Sequence, residues 1–169
     1  MDEVERLIGA FRARATSGPA SRLDVLMDLE RLRDPRIVPF LVQVLSDRDE
    51  AAEVRIHVVK RLRNGRLASE ERGAVALAIV AVLGPGSSPD LRLQSALALA
   101  EFTDIDGVVR ILGSLALDVR EPIDLRYSAF TSLERAGPAV KCVEFLRQLS
   151  VDETLGRSAR SLLSTWQLA

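Results

Sequence analysis

The chain has 169 residues, of which 47% are hydrophobic and 28% charged, a balance that supports a buried core and argues against disorder. Its 23 basic and 24 acidic residues give a net charge of −1, so no overall field draws it toward nucleic acid or anionic lipid. One cysteine, Cys142, excludes an internal disulfide and fits a reducing compartment.

The chain opens on Met1-Asp2-Glu3-Val4-Glu5, an acidic start that does not suit a secretory signal. From Met1 to Ala15, Val4, Leu7, Ile8 and Phe11 recur at helical spacing, and Thr16-Ser17-Gly18-Pro19 then breaks the pattern. A second helix is expected from Pro19 to about Leu32. Asp34-Pro35 reads as a helix start, with a carboxylate to cap free amides and a proline that needs no donor. The helix after it carries Val38, Leu41, Val42 and Leu45 as far as Ser46-Asp47. The next runs from Glu50 to Arg63 and stops at Asn64-Gly65, where a left-handed residue is easily placed.

Ser69-Glu70-Glu71 opens another helix, its acids complementing the helix dipole, and Gly84-Pro85-Gly86 closes it. The most apolar window, Ala74 to Leu83, is ten residues long, against about 20 needed to cross a bilayer. Ser88-Pro89-Asp90 starts the next helix, Thr103-Asp104 one toward Leu117, and Glu121-Pro122 one toward Ala136. Gly137-Pro138 separates that from a helix reaching Leu149. Ser150-x-x-Glu153 reads as a capping box for the last helix, which ends near Trp166. The sum is ten helices in five pairs, with no strand. No transmembrane segment is expected, and the expected location is cytoplasmic.

The pairs repeat. Four second helices read R-x6-L: Arg22 to Leu29, Arg55 to Leu62, Arg92 to Leu99 and Arg126 to Leu133. A fifth, Leu155 to Leu163, has Gly156 in the arginine position, and the intervals are 33, 37, 34 and 30 residues. First helices match as well: Val38, Leu41 and Leu45 align with Val108, Ile111 and Leu115 at a shift of 70, and with Cys142, Phe145 and Leu149 at 104. Such a period predicts an all-α solenoid of about five antiparallel helix pairs in one domain over residues 1–169. The repeats are approximately 1–33, 34–66, 67–102, 103–136 and 137–169.

Asp34-Pro35-Arg36-Ile37-Val38-Pro39-Phe40-Leu41, followed by Glu53-Val54-Arg55, resembles the HEAT repeat, in particular the bacterial HEAT-like subtype found in phycobilin lyases. The resemblance covers nearly the whole chain and is weakest over the first 20 residues. It implies a right-handed α-α superhelix of the armadillo-like kind, used as a scaffold for protein binding. It also implies that Arg55, Arg92 and Arg126 are structural and bond to acids of the inter-helix turns, with Asp49, Asp90 and Asp118 close in sequence. Gly156 departs from that pattern, as suits a terminal repeat with no successor.

Catalytic chemistry finds little support. His57 is the only histidine, and Cys142 lies 85 residues away at a position equivalent to apolar Val38, so structural roles are expected for both. No metal site is expected, since a structural zinc wants about four N or S ligands. No phosphate-binding glycine motif occurs, and no cofactor is implied. The run Lys60-Arg61-x-Arg63-x-x-Arg66 is the densest positive stretch. It reads as a helix end in favour with the macrodipole, because the equivalent stretches, Ala98 to Glu101 and Ser132 to Arg135, are not basic. Nucleic acid is therefore a disfavoured partner.

The candidate binding surface is a stripe. The second residue after each leading apolar position, and the one four later, are Leu23 and Met27, Ile56 and Lys60, Leu93 and Leu97, Tyr127 and Thr131, and Arg157 and Ser161. Residues four apart share a helix face, so stacked second helices would align them as a stripe, which the resemblance implies lies on the concave side. Two readings stand: an apolar patch rimmed by charge for a protein or peptide, or side chains packed on one another in a tightly curved stack. In the first, Lys60 and Arg63 orient the partner. Trp166 likewise either seals the last repeat or anchors a partner. The leading expectation is a non-enzymatic scaffold; a bilin-lyase subunit and a DNA-binding HEAT-like protein are the alternatives, and a homo-oligomer is compatible with each.

Overall fold

The computed structural model describes residues 1–13 and 19–168, and every regular element among them is helical. In chain order these are α1 (Glu3–Arg12), α2 (Pro19–Glu30), α3 (Ile37–Ser46), α4 (Ala52–Asn64), α5 (Ser69–Ala81), α6 (Pro89–Ala98), α7 (Val108–Leu117), α8 (Ile123–Ala136), α9 (Val140–Leu149) and α10 (Gly156–Thr165). A 3₁₀ turn, Leu99–Phe102, extends α6. The expected break at Thr16-Ser17-Gly18 lies outside the described residues. No described helix is long and apolar enough to cross a membrane.

The residues gather into two compact units, Met1–Ala78 and Ile79–Ala169, with the boundary inside α5. In the first, α1 packs on α2, α3 on α4, and α2 on α4. Leu26 and Leu29 of α2, Leu41 and Leu45 of α3, and Val58 and Leu62 of α4 are fully or almost fully buried there. In the second unit α7 packs on α8 and α9, α6 on α8, and α9 on α10. Leu91, Leu112, Phe130, Leu133, Leu146 and Leu149 fill that core. Each unit therefore joins hairpin partners to one another and second helix to second helix, and the second unit also joins first helix to first helix.

Gly113 explains the α7–α9 approach. A Cβ built on it would overlap the Phe145 ring, so only glycine lets that aromatic lie flat against the α7 backbone. The register of the first helices differs from the expected shifts by one residue. Ile37, Phe40, Leu41, Val44 and Leu45 are the buried positions of α3, while Val38 is half-buried. Val108 and Leu112 in α7, and Cys142, Leu146 and Leu149 in α9, match them at shifts of 71 and 105, which also superimpose Asp47, Asp118 and Asp152.

Three helix-end expectations are corrected. Asp34 does not cap α3; its carboxylate accepts from the Arg36 backbone N–H and guanidinium, each at 2.9 Å, and these bonds pull its pKa down to about 2. Gly65 is extended at φ −78°, not left-handed. The Ser150/Glu153 capping box does not form. Ser150 Oγ donates back to the Arg147 carbonyl, and Asp152 Oδ1 accepts from the Thr154 and Leu155 amides, both at 2.9 Å.

Candidate functional site

The second helices are held by their arginines. Each donates Nε to the last turn of the preceding first helix: Arg22 to the Phe11 carbonyl at 3.4 Å, Arg55 to Leu45 at 2.9 Å and Arg126 to Ala116 at 2.9 Å. Arg92 donates to the Leu83 carbonyl at 2.7 Å, just past the end of α5. The same guanidiniums reach a carboxylate one hairpin further along: Arg22 to Glu50, Arg92 to Glu121 and Arg126 to Asp152. These acids, rather than Asp49, Asp90 or Asp118, are the partners. Asp118 instead pairs with exposed Arg120 at 3.0 Å.

Arg55 is the exception. It is 8% exposed and makes no ion pair among the described residues, and residues 84–88, the next inter-helix turn in sequence, contain no acid. Burial lowers its pKa, against a partly compensating attraction from Asp47. The fifth arginine is present after all: Arg160, 34 residues beyond Arg126, donates to the Ser150 carbonyl. Gly156 sits where a Cβ would press on that carbonyl and on the Arg160 guanidinium, which is why it carries no side chain.

With the second helices fixed, the stripe is placed on each unit's surface. In the first unit Leu23 is half-buried and Met27 is 40% exposed on α2, while on adjacent α4 Ile56 and Arg63 are half-buried and Lys60 is exposed. Between these helices lies a cluster that spacing did not reveal. His57 Nε2 is 2.8 Å from Glu30 Oε1, and Arg61 Nε is 3.5 Å from Glu30 Oε2. His57 is thus tied across the hairpins by a carboxylate 27 residues away, a separation that no local pattern signals.

In the second unit Leu93 and Leu97 on α6 are half-buried, next to α8, where Thr131 is exposed and Tyr127 is 49% exposed. The Tyr127 ring leans on Phe130, with centroids 5.9 Å apart, and Thr131 Oγ1 donates to the Tyr127 carbonyl at 3.0 Å. Tyr127 also meets Arg157 and Ser161 of α10 in an open groove of about 480 Å³, completed by Glu134 and Thr165 among others. The structure therefore brings Tyr127, Arg157 and Ser161 together on one surface. Trp166 is half-buried just past α10.

The remaining reactive groups are enclosed or solvated. Cys142 is fully buried, its thiol directed at the Leu133 carbonyl at 3.2 Å, and burial pushes its pKa up to about 11. Arg61 and Arg63 lie in the last turn of α4, where cations favour the dipole. Among the described residues no three His, Cys, Asp or Glu side chains converge as a metal site. No family model matches the chain, and no curated protein matches it.

Proposed function

We propose that the chain is a HEAT-like right-handed solenoid of five hairpins in one domain, acting as a non-enzymatic module that binds a peptide or protein on its second-helix face. The observation that carries this reading is the state of the stripe. Met27 and Tyr127 keep 40% and 49% of their surface in solvent, and Leu23, Ile56, Leu93 and Leu97 are only half covered. A large apolar side chain yields about 1.5–3 kcal/mol when fully buried, so each half-covered one offers roughly 1 kcal/mol. After association costs, several must engage together, which suits a weak and transient partner. Lys60 and Arg63 orient that partner. The test is Leu93→Asp with Leu97→Asp, on side chains that already meet water. The variant is expected to keep its helical circular dichroism and to lose the proteins captured from the native host by the wild-type chain. An intact fold with unchanged capture would sink the proposal.

A further inference from the structure

The two units each carry a version of one groove, and the versions differ in a telling way. In the first unit it lies beside Arg22 and α3, and its free space is about 160 Å³. Two aromatic rings fill it: Phe11 and Phe40 meet edge to face, with centroids 5.5 Å apart and planes at 89°. The Arg22 guanidinium lies 4.0 Å over the Phe11 ring while its own nitrogens hold the Phe11 carbonyl and Glu50. Arg12 covers Phe40 at 5.6 Å and donates to Gln43.

In the second unit the same frame recurs around Arg92. It holds the Leu83 carbonyl and Glu121 as Arg22 holds Phe11 and Glu50. The filling is gone. Leu83 stands where Phe11 does, and at the shift of 71 Ile111 replaces Phe40 and Ser114 replaces Gln43. What remains is an open groove of about 650 Å³ with Leu83, Pro85, Ile111 and Leu115 as its apolar lining. Among the described residues no aromatic ring lies beneath Arg92. Arg110, exposed at the rim, makes no ion pair among the described residues. Counting Arg92, Arg110 and Arg120 against Asp118 and Glu121, the lining carries one surplus positive charge.

We propose that this groove is a second binding site, which takes an aromatic side chain of a partner peptide next to an acidic residue. The ring restores under Arg92 what Phe11 provides under Arg22, a flat π face for a guanidinium already fixed at its other nitrogens. The carboxylate meets Arg110. The site lies between α7 with the turn after it and the α5–α6 turn with Arg92, and includes none of the stripe residues, so it stands or falls independently of the function proposed above.

The full ¹⁵N-labelled chain is titrated with acetyl-Asp-Phe-Asp-amide and, in parallel, with acetyl-Asp-Leu-Asp-amide. The aromatic peptide is expected to shift amides of Leu83, Ile111, Ser114 and Leu115. The leucine peptide should bind about tenfold more weakly, the discrimination a desolvated ring over a guanidinium provides. Leu83→Phe with Ile111→Phe rebuilds the aromatic filling of the other groove and is expected to abolish the response. Arg110→Glu, on an exposed side chain, is expected to weaken binding several-fold and serves if the double variant does not fold. Equal binding of the two peptides, absence of shifts at these amides, or full binding by either variant overturns the proposal. So do groove shifts that follow protein concentration alone, which would mean that a second copy of the chain occupies the groove.

Discussion

Replacing Arg126 by methionine separates its charge from its bulk. The side chain is 6% exposed and lies along α8, so methionine keeps most of the apolar stem. Two polar groups lose their partner: the Ala116 carbonyl, 2.9 Å from Nε, and the Asp152 carboxylate. An orphaned buried acceptor costs about 1–3 kcal/mol, and an abandoned buried ion about 3–5. Asp152 softens the second figure, because its other oxygen keeps the Thr154 and Leu155 amides and it lies just ahead of α10. The expected loss is then about 3 kcal/mol, a large part of the 5–15 typical of a domain. The assay is urea unfolding at pH 7 followed by the fluorescence of Trp166, the one tryptophan, which lies in the same unit. Arg120→Met is the control, since that arginine is 86% exposed and its solvent-screened pair with Asp118 should contribute little to stability. A loss below about 1 kcal/mol for Arg126→Met, or one no larger than the control's, would refute the clip as a source of stability.

Further outcomes follow from single groups. Burial would raise the Asp152 pKa, but the Leu155 and Thr154 amides and Arg126 outweigh it, so the group sits below the usual carboxylate range. Its stabilisation is complete above the ordinary aspartate value of about 3.9 and fades as pH falls through the depressed value. Stability measured from pH 5 to pH 2 should therefore decline, and less steeply in Arg126→Met; identical slopes would contradict the pairing. Gly113→Ala gains about 1 kcal/mol of helix propensity but forces a methyl into the Phe145 ring, for a net loss of about 1–2. Adding Phe145→Leu should recover part of it, and unfolding curves of the three variants check this. Cys142, buried with its thiol pKa near 11, should resist iodoacetamide at pH 8 until the chain is unfolded, and rapid labelling of the native protein would contradict that burial.

The helices were readable because proline, glycine and short polar residues punctuate the chain at nearly every boundary. Pro89 at the head of α6 behind its Ser88 cap is one instance. The register was less secure. Adjacent apolar pairs such as Ile37-Val38 and Val108-Val109 satisfy helical spacing in either of two phases, and only packing shows which member turns inward. Anchoring the fifth repeat on its leucines hid Arg160, because the position seven residues after it is Gln167 rather than leucine, whereas Leu163 follows Gly156 at that spacing. The acids that meet the arginines sit at different places in their turns, Glu50 and Glu121 at one and Asp152 at another, so no fixed spacing points to them. The stripe was legible as a periodicity of four. The Glu30–His57 bridge was not, since it exists only once two hairpins meet.

The arginine bonds also give the chain a polarity. Glu50 follows Arg22 by 28 residues, Glu121 follows Arg92 by 29, and Asp152 follows Arg126 by 26, so in every case the cation is synthesised first. A nascent hairpin emerging from the ribosome holds an arginine whose counter-charge has yet to be made. Trimming the chain from its C-terminus would strand a buried cation wherever one of these three pairs spans the cut, Arg55 standing outside the pattern, whereas trimming from the N-terminus strands a carboxylate, which can take up a proton and become neutral.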